Sequence, residues 1–308
     1  MSVSVFRKRA AAPVLAAACA LLWGTAFPFI KLGYSAFEIA ADDRGAMLLF
    51  AGLRFSIAGL MALALTLFKK SGSGSIKNLL PAAALLGAVQ TFAQYLFTYI
   101  GLGLTTAANT SIITACASFL TVLAVPLFFK SDRITAVKLL GCALGFGGVL
   151  IVNRGGGVTA ETLPGDLLVF ISTVCAAAGN IIAKKAGKGR DPLRLTAWQL
   201  LIGGALLCMA GLILGGRLNL LNLNGLLILL WLAFVSAAAF SVWTALLKYN
   251  PASKISVFIL LVPVFGTLLS GLLLGEQVLR AEVFISLALI SAGIILVNLS
   301  KVGEKHGV

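Results

Sequence analysis

Residues 105–153 read TTAANTSIITACASFLTVLAVPLFFKSDRITAVKLLGCALGFGGVLIVN, and residues 250–298 read NPASKISVFILLVPVFGTLLSGLLLGEQVLRAEVFISLALISAGIILVN. The two stretches align without a gap over 49 residues, at an offset of 145 residues. The same offset aligns Arg54 with Gln199 in the preceding parts of the chain. Self-similarity at a constant offset indicates an internal repeat. We therefore predict that the chain consists of two homologous halves.

The composition places these halves in a lipid bilayer. Of the 308 residues, 60% are hydrophobic and 11% are charged, and the mean hydropathy is +1.05, far from the values of a soluble domain. A membrane span needs about 20 apolar residues. The sequence contains ten such stretches: 13–34, 46–68, 78–102, 105–129, 134–152, 166–186, 195–215, 225–247, 253–274 and 280–299. The connections between them are too short for an attached soluble domain.

The lysine and arginine residues follow the membrane topology instead of gathering on one face. Ten spans with a cytoplasmic N-terminus place eighteen of the 24 basic residues in cytoplasmic segments and four outside. Because cytoplasmic loops are enriched in Lys and Arg, both termini are predicted to be cytoplasmic. The formal charge of +14 is thus explained without a nucleic-acid partner. An alternative interpretation of the first span as a secretory signal peptide would leave nine spans and break the charge alternation.

Five spans fall in each predicted half, and this odd number determines how the halves are oriented. The halves are residues 13–153 and 165–299, with cytoplasmic tails at 1–12 and 300–308. An odd number of spans makes the second half enter the membrane from the opposite side. Inverted repeats are typical of alternating-access carriers, which bind their substrate near the midplane between the repeats. The predicted fold is therefore an all-α integral membrane protein with ten transmembrane helices in two inverted five-helix repeats.

Several motifs carry a resemblance to a known family. They are Trp23-Gly-Thr-Ala-Phe-Pro-Phe-Ile-Lys31, Leu53-Arg-Phe-Ser-Ile-Ala-Gly59, Pro263 in the ninth span, Gly275-Glu276 after it, and the glycine-rich tenth span that ends in Asn298. Together they resemble the drug/metabolite transporter superfamily, in its ten-span branch with two EamA domains. The resemblance implies export or exchange of amino acids, their derivatives or other small metabolites across a bacterial inner membrane.

The first half departs from the family pattern in two places. Ser118 stands where the second half has Pro263, and Ser131-Asp132 stands where the family commonly repeats the Gly-Glu pair. The hinge and the cap of the first half are therefore expected to differ from those of the second.

Arg54 is the most informative single residue. It lies about 5 Å from the middle of its span by helical rise, where a charge costs roughly 2.5 to 3.5 kcal/mol unless it faces water or a partner. Acidic residues are absent from the deep part of every predicted span. One hypothesis is that Arg54 attracts a carboxylate or phosphate of the substrate. The alternative is that it bonds backbone carbonyls at a helix break or extends outward to Asp42 or Asp43.

Polar and aromatic side chains at mid-depth outline a candidate substrate cavity. Ser and Thr residues also allow helices to pack closely in lipid, so part of this set could be structural. The predicted substrate-binding residues are Trp23, Arg54, Gln90, Gln94, Tyr95, Thr114, Ser118, Asn180, Ser236 and Trp243.

Pro28 and Pro263 are the candidate hinges. Each removes a backbone hydrogen bond and frees a carbonyl one turn earlier, near Gly24 and Ile259 respectively. They would either bend during gating or form static kinks. Pairs of glycines, such as Gly211 with Gly215, predict close contacts between helices.

The sequence offers little support for catalysis, a metal or a cofactor. Its one histidine, His306, is in the C-terminal tail, and the five cysteines have no metal or disulfide spacing. We therefore expect a non-enzymatic secondary transporter without cofactors, monomeric or homodimeric, in the inner (plasma) membrane. Its partners would be the lipid bilayer and a small-molecule substrate. A polyspecific drug exporter remains the main alternative, and a passive channel is less favoured.

Overall fold

The structure is a computed structural model that describes residue 6 and residues 11–40, 42–68, 76–102, 104–105, 107–130, 132–152, 160–274 and 281–299. The two predicted tails lie almost entirely outside these ranges, as do Ser131, Gly275 and Glu276.

The described residues form an all-helical protein with a helix at each of the ten predicted span positions. In chain order these are α1 (Ala11–Ala36), α2 (Arg44–Phe68), α3 (Ile76–Leu102), α4 (Ala107–Phe128), α5 (Ala136–Val152), α6 (Leu163–Ala186), α7 (Pro192–Ile213), α8 (Leu223–Tyr249), α9 (252–274) and α10 (Ala281–Leu299).

Six of these helices, α1, α2, α3, α6, α7 and α8, are long and apolar enough to cross a membrane. The other four contain shorter apolar stretches, Ile113–Phe128, Ala136–Ile151, Ala252–Gly266 and Phe284–Leu299. Large apolar side chains are exposed on the outer faces of many helices, among them Leu67, Leu127 and Ile213, as expected for a protein surrounded by lipid.

Two helix pairs form the longest seams of the bundle. Helix α2 packs along α7, and α5 packs along α10. The remaining contacts come in matched pairs: α1 lies against α8 and α9, while α6 lies against α3 and α4. Likewise α2 contacts α8, and α7 contacts α3. Renumbering each helix by its equivalent in the other half (α1 with α6, α2 with α7, and so on) converts each of these contacts into its matched partner, and it leaves the two seams α2–α7 and α5–α10 unchanged.

Glycines make the seam between α2 and α7 close. A Cβ on Gly52 would lie 2.5 Å from the backbone nitrogen of Cys208, and one on Gly204 would lie 2.6 Å from the backbone nitrogen of Ser56. Gly211 faces α2 in the same way, as the sequence predicts. Its predicted partner Gly215 does not, because it follows the last residue of α7 with a φ of 77° and closes the helix end.

Two helices change their winding near the centre of the bundle. Helix α3 is α-helical over Ile76–Leu86, widens to a π-helix over Gly87–Ala93 and returns to α-helix over Gln94–Leu102. Helix α9 starts with Ala252–Ser256, tightens to a 3₁₀-helix over Val257–Leu260 and continues as Leu261–Leu274. Such interruptions occur often at functional sites.

Candidate functional site

Arg54 lies in the interior of the bundle, where α2 meets α8. Its side chain is 2% exposed, and its Nε donates a hydrogen bond of 2.8 Å to Ser236 Oγ. Ser236 in turn donates to the carbonyl of Leu232, at 2.9 Å, so the hydroxyl presents a lone pair to the arginine. The guanidinium carbon is 5.0 Å from the centre of the Phe55 ring. Ser236 of α8 thus binds one edge of the guanidinium, and Phe55 of the same helix as Arg54 lies against one of its faces.

The described contacts of Arg54 differ from those expected in either alternative interpretation. No ion pair joins it to Asp42 or Asp43, all three residues being within the described part of the chain. Its hydrogen bond goes to a hydroxyl rather than to a backbone carbonyl. Among the described residues, the terminal guanidinium nitrogens have no hydrogen-bond partner.

Two tyrosines lie near Arg54, and neither is among the substrate-binding residues predicted from the sequence. The hydroxyls of Tyr34 and Tyr99 are buried and find no hydrogen-bond partner in the described ranges. The Tyr99 ring centre is 6.5 Å from that of Tyr34 and 6.2 Å from that of Tyr95. Tyr95 in turn packs on Phe55, the ring that lies under the guanidinium of Arg54. Buried hydroxyls without a partner beside a charged group indicate a place for a further polar group.

Aromatic rings continue from this point toward the middle of the bundle. The Tyr95 ring centre is 4.4 Å from that of Phe55. Trp23 lies 5.5 Å from Phe240 and 5.0 Å from Trp243, edge to face. The Trp23 indole nitrogen is buried and unpartnered among the described side chains. The predicted residues Trp23, Tyr95 and Trp243 therefore belong to one aromatic wall.

Asn180 is the centre of a buried amide network. Its Oδ1 accepts from Trp243 Nε1 at 3.0 Å and from Gln90 Nε2 at 3.4 Å, while its Nδ2 donates to Thr121 Oγ1 at 3.3 Å. Gln199 extends the network, donating to Gln90 Oε1 at 3.0 Å. The network joins helices from both halves, and Gln90 enters it from the π-helical part of α3.

Arg54 and Gln199 make equivalent contacts. Gln199 Nε2 donates to Thr91 Oγ1 at 3.3 Å, as Arg54 Nε donates to Ser236 Oγ. Gln199 follows Arg54 by 145 residues, and Ser236 follows Thr91 by the same 145 residues. The repeat offset of the sequence thus reappears as two matched hydrogen bonds, one charged and one neutral.

The other predicted substrate-binding residues are placed differently. Ser118 is fully buried, and its hydroxyl has no partner among the described residues. Thr114 donates to the Thr110 carbonyl of its own helix at 2.8 Å. Gln94 is half-buried and makes no side-chain hydrogen bond with any described residue, so it is not part of the amide network. Gln90, four residues earlier in the same helix, is part of that network.

The two candidate hinge segments touch each other. Pro28 and Pro263 are both buried; α1 continues through Pro28, and Pro263 follows the 3₁₀ segment of α9. The helices cross where Gly24 faces Phe265, and a Cβ on Gly24 would lie 2.6 Å from the Cβ of Phe265. Helix α1 stays α-helical through Pro28, whereas α9 is 3₁₀ around Ile259, the residue whose carbonyl Pro263 leaves free. Movement at either proline remains a prediction.

A second polar cluster lies at the opposite end of the bundle from the α1–α2 turn. Asp132 and Lys138, 2% and 1% exposed, form the one ion pair within the described ranges, at 2.6 Å. Asp132 also accepts from the hydroxyl and the backbone nitrogen of Ser253, at 2.5 and 3.2 Å, so it caps the start of α9. Lys184, at the end of α6, donates to the carbonyls of Leu247 and Asn250. This cluster ties α4, α5, α6, α8 and α9 together.

Comparison with known proteins agrees with this architecture. The family model described as "EamA-like transporter family" matches residues 11–154 and again residues 163–299. The chain is 27% identical to the inner membrane transporter YedA of Escherichia coli K12, over 91% of this chain and 88% of that one. It is 27% identical to the transporter YvbV of Bacillus subtilis 168, over 95% and 93% of the two chains.

A solved crystal structure shares the fold. It superposes with a TM-score of 0.78 and covers 94% of this chain and 96% of its own, at 20% sequence identity.

Proposed function

The chain belongs to the EamA-like transporter family, and on that premise we propose that it is a secondary transporter that exports or exchanges small metabolites by alternating access. The substrates would be amino acids or related organic solutes. The single observation that carries this proposal is Arg54, a buried charge with unused donors in a membrane protein. A charge in such a position requires an anionic or strongly polar partner, and a substrate can supply it.

The matched contacts support the inverted-repeat mechanism. Helices α1 and α6 each pack against the third and fourth helices of the opposite half, and the same exchange relates the contacts of α2 and α7. Two packings related by exchanging the halves would have similar energies, which is the property that an alternating-access carrier requires. With five spans in each half, the exchange would convert an outward-open state into an inward-open one.

The site favours a metabolite over a cationic drug. A cationic compound would be repelled by Arg54, whose charge no described acid within ion-pair distance balances. A channel is disfavoured because Trp23, Phe240 and Trp243 pack edge to face in the middle of the bundle. We place the protein in the inner membrane because its relative in Escherichia coli is an inner membrane transporter by name.

The first test combines ligand screening with transport. The purified protein is screened against a metabolite library by thermal shift, and stabilising compounds are tested for counterflow in liposomes. Replacing Arg54 with Gln should weaken the apparent affinity for an anionic substrate about 30-fold or more, because truncating one partner of a buried charge pair costs about 2–5 kcal/mol.

The control is Arg217→Gln, which removes an exposed arginine from the connection between α7 and α8 and should leave counterflow unchanged. Parental rate and affinity in a folded Arg54→Gln protein would contradict the assigned role. Flux that fails to saturate would indicate a channel instead.

A further inference from the structure

We propose that Arg54, Tyr34 and Tyr99 form one binding subsite, whose ligand is the carboxylate of a monoanionic organic acid. This inference rests on the proposed transport function and specifies the part of the substrate that the site recognises. It adds two residues that neither the repeat pattern nor the family match assigns to a ligand.

The first part of the subsite is the Arg54 guanidinium, whose two terminal nitrogens are available to a ligand. Ser236 occupies the Nε–H of Arg54, at 2.8 Å, and fixes the plane of the group through its own bond to the Leu232 carbonyl. The two terminal nitrogens then present N–H groups to the interior without a partner in the described structure. A planar pair of N–H donors matches the two oxygens of a carboxylate.

The second part consists of two phenolic hydroxyls beside the guanidinium. Tyr99 is 5% exposed, and its hydroxyl, like that of Tyr34, is buried without a hydrogen-bond partner among the described residues. Both rings belong to the aromatic cluster that starts at Phe55, under the guanidinium, and continues through Tyr95 to Tyr99 and Tyr34, with successive ring centres 4.4, 6.2 and 6.5 Å apart. A buried, unsatisfied hydroxyl is costly, and a carboxylate that accepts from it would remove that cost.

The charge balance selects the class of ligand. A single positive charge neutralises a monoanion, whereas a phosphate dianion would keep one uncompensated charge in the middle of the span. The described residues near Arg54 include no acid within ion-pair distance that could bind an amine in the same place. The rings of Phe55, Tyr95 and Phe240 form the adjoining wall, so the rest of the ligand would be apolar or aromatic.

The equivalent position in the other half supports this asymmetry. Gln199 stands in place of the arginine there, and its Nε2 donates to the side chains of Gln90 and Thr91 without any ligand. The position equivalent to Arg54 therefore has satisfied donors and no charge, and the anionic end of a ligand would be drawn to Arg54 alone.

The test measures binding by the full chain in detergent micelles, with tryptophan fluorescence and calorimetry. The probes are acetate, butanoate and phenylacetate, each against its uncharged amide, together with phenyl phosphate. We expect at least one carboxylate to bind about tenfold or more tightly than both its amide and phenyl phosphate. A panel in which no acid binds more tightly than its amide, or in which phenyl phosphate binds best, would overturn the proposal.

The variants Tyr34→Phe and Tyr99→Phe remove one oxygen each and keep the ring. Each should weaken carboxylate binding about tenfold or more, as expected for a lost hydrogen bond to a charged group, and leave amide binding unchanged. Tyr249→Phe, at the far end of α8, is the matched control and should bind like the parental protein. Parental carboxylate binding by both variants would remove the tyrosines from the subsite.

These outcomes separate this inference from the proposed function. If the tyrosine variants bind carboxylates normally while Arg54→Gln abolishes counterflow, the subsite is wrong and the transport function stands. If carboxylate binding depends on all three residues but liposomes show no counterflow of the bound acid, the subsite stands and the transport function fails.

Discussion

Asp132 is a buried carboxylate that joins the turn between α4 and α5 to the start of α9. It neutralises Lys138 and accepts two hydrogen bonds from Ser253 at the start of α9. Arg54, in contrast, has a positive charge and no described acid to balance it. The two residues therefore differ: the protein itself supplies the partners of Asp132, whereas the subsite proposed above leaves the terminal nitrogens of Arg54 to a ligand.

Replacing Asp132 with Asn should lower the stability of the folded chain. Removing one member of a buried pair leaves the other charge uncompensated and typically costs about 3–5 kcal/mol. A clear drop in the melting temperature in detergent is expected, with carboxylate binding at Arg54 retained. The control is Asp191→Asn at the half-buried N-cap of α7, which should change the stability little, because asparagine caps a helix about as well as aspartate. Equal melting temperatures for Asp132→Asn and the parental chain would show that the pair is not stabilising.

At the scale of the element, backbone contact determines how α2 and α7 meet. The glycines of this seam leave no space for a side chain, and Gly204 faces the backbone of Ser56 directly. Close approach of this kind provides the packing that helices use in lipid, where no hydrophobic force favours helix association over lipid contact.

A methyl group added to this seam should separate the helices. Gly204→Ala would place its Cβ 2.6 Å from the Ser56 nitrogen, and overpacking of this kind costs about 1–3 kcal/mol. Gly147→Ala is the control, because a Cβ there meets nothing within 4 Å, and alanine is the better helix former by up to about 1 kcal/mol. The melting temperature should fall for Gly204→Ala and should stay the same or rise for Gly147→Ala. The opposite order would contradict the assigned seam.

The π-helical part of α3 explains why sequence periodicity misplaces some side chains. Gln90 and Gln94 are four residues apart and would share one face of a regular α-helix. The wider winding over Gly87–Ala93 turns Gln90 toward Asn180 and Gln199, whereas Gln94 makes no such bond. Nothing in the local sequence marks this change of winding, since all four residues from Gly87 to Gln90 are compatible with an ordinary helix.

At the scale of the whole molecule, hydropathy and the repeat predict the helices well. Each predicted span coincides with a helix to within a few residues, because the length of an apolar stretch sets the length of a span. The site is predicted less completely. Trp23, Asn180, Ser236 and Trp243 were selected for depth and polarity, and they do meet in the interior.

There is a physical reason why the sequence does not predict three of the residues at the site, Tyr34, Tyr99 and Gln199. Apolar helices in lipid are weakly amphipathic, so the sequence does not reveal which side of a span faces inward. Tyr34 also lies near the end of its span, where tyrosine is common at the interface with water. The one available signal was the alignment of Gln199 with Arg54, which the matched bonds to Thr91 and Ser236 explain.

The unbalanced charge of Arg54 has an electrical consequence for transport. None of the described acids lies close enough to Arg54 to pass a proton to the substrate, so a monoanion would cross the membrane with its charge intact. Each such ion that leaves a cell with a negative interior gains about 2.3 kcal/mol per 100 mV. The membrane potential alone could therefore drive net export, without a coupling ion.

Valinomycin-imposed potentials in liposomes measure this effect. Net efflux of a labelled carboxylate should accelerate when the compartment it leaves is negative, and efflux of its amide should not respond. One-for-one exchange of two monoanions moves no net charge, so the rate of exchange should not change with the membrane potential. Net efflux that ignores the potential would mean that a second ion travels with the acid. The unpaired arginine would thus make voltage the quantity that distinguishes an exporter from an exchanger.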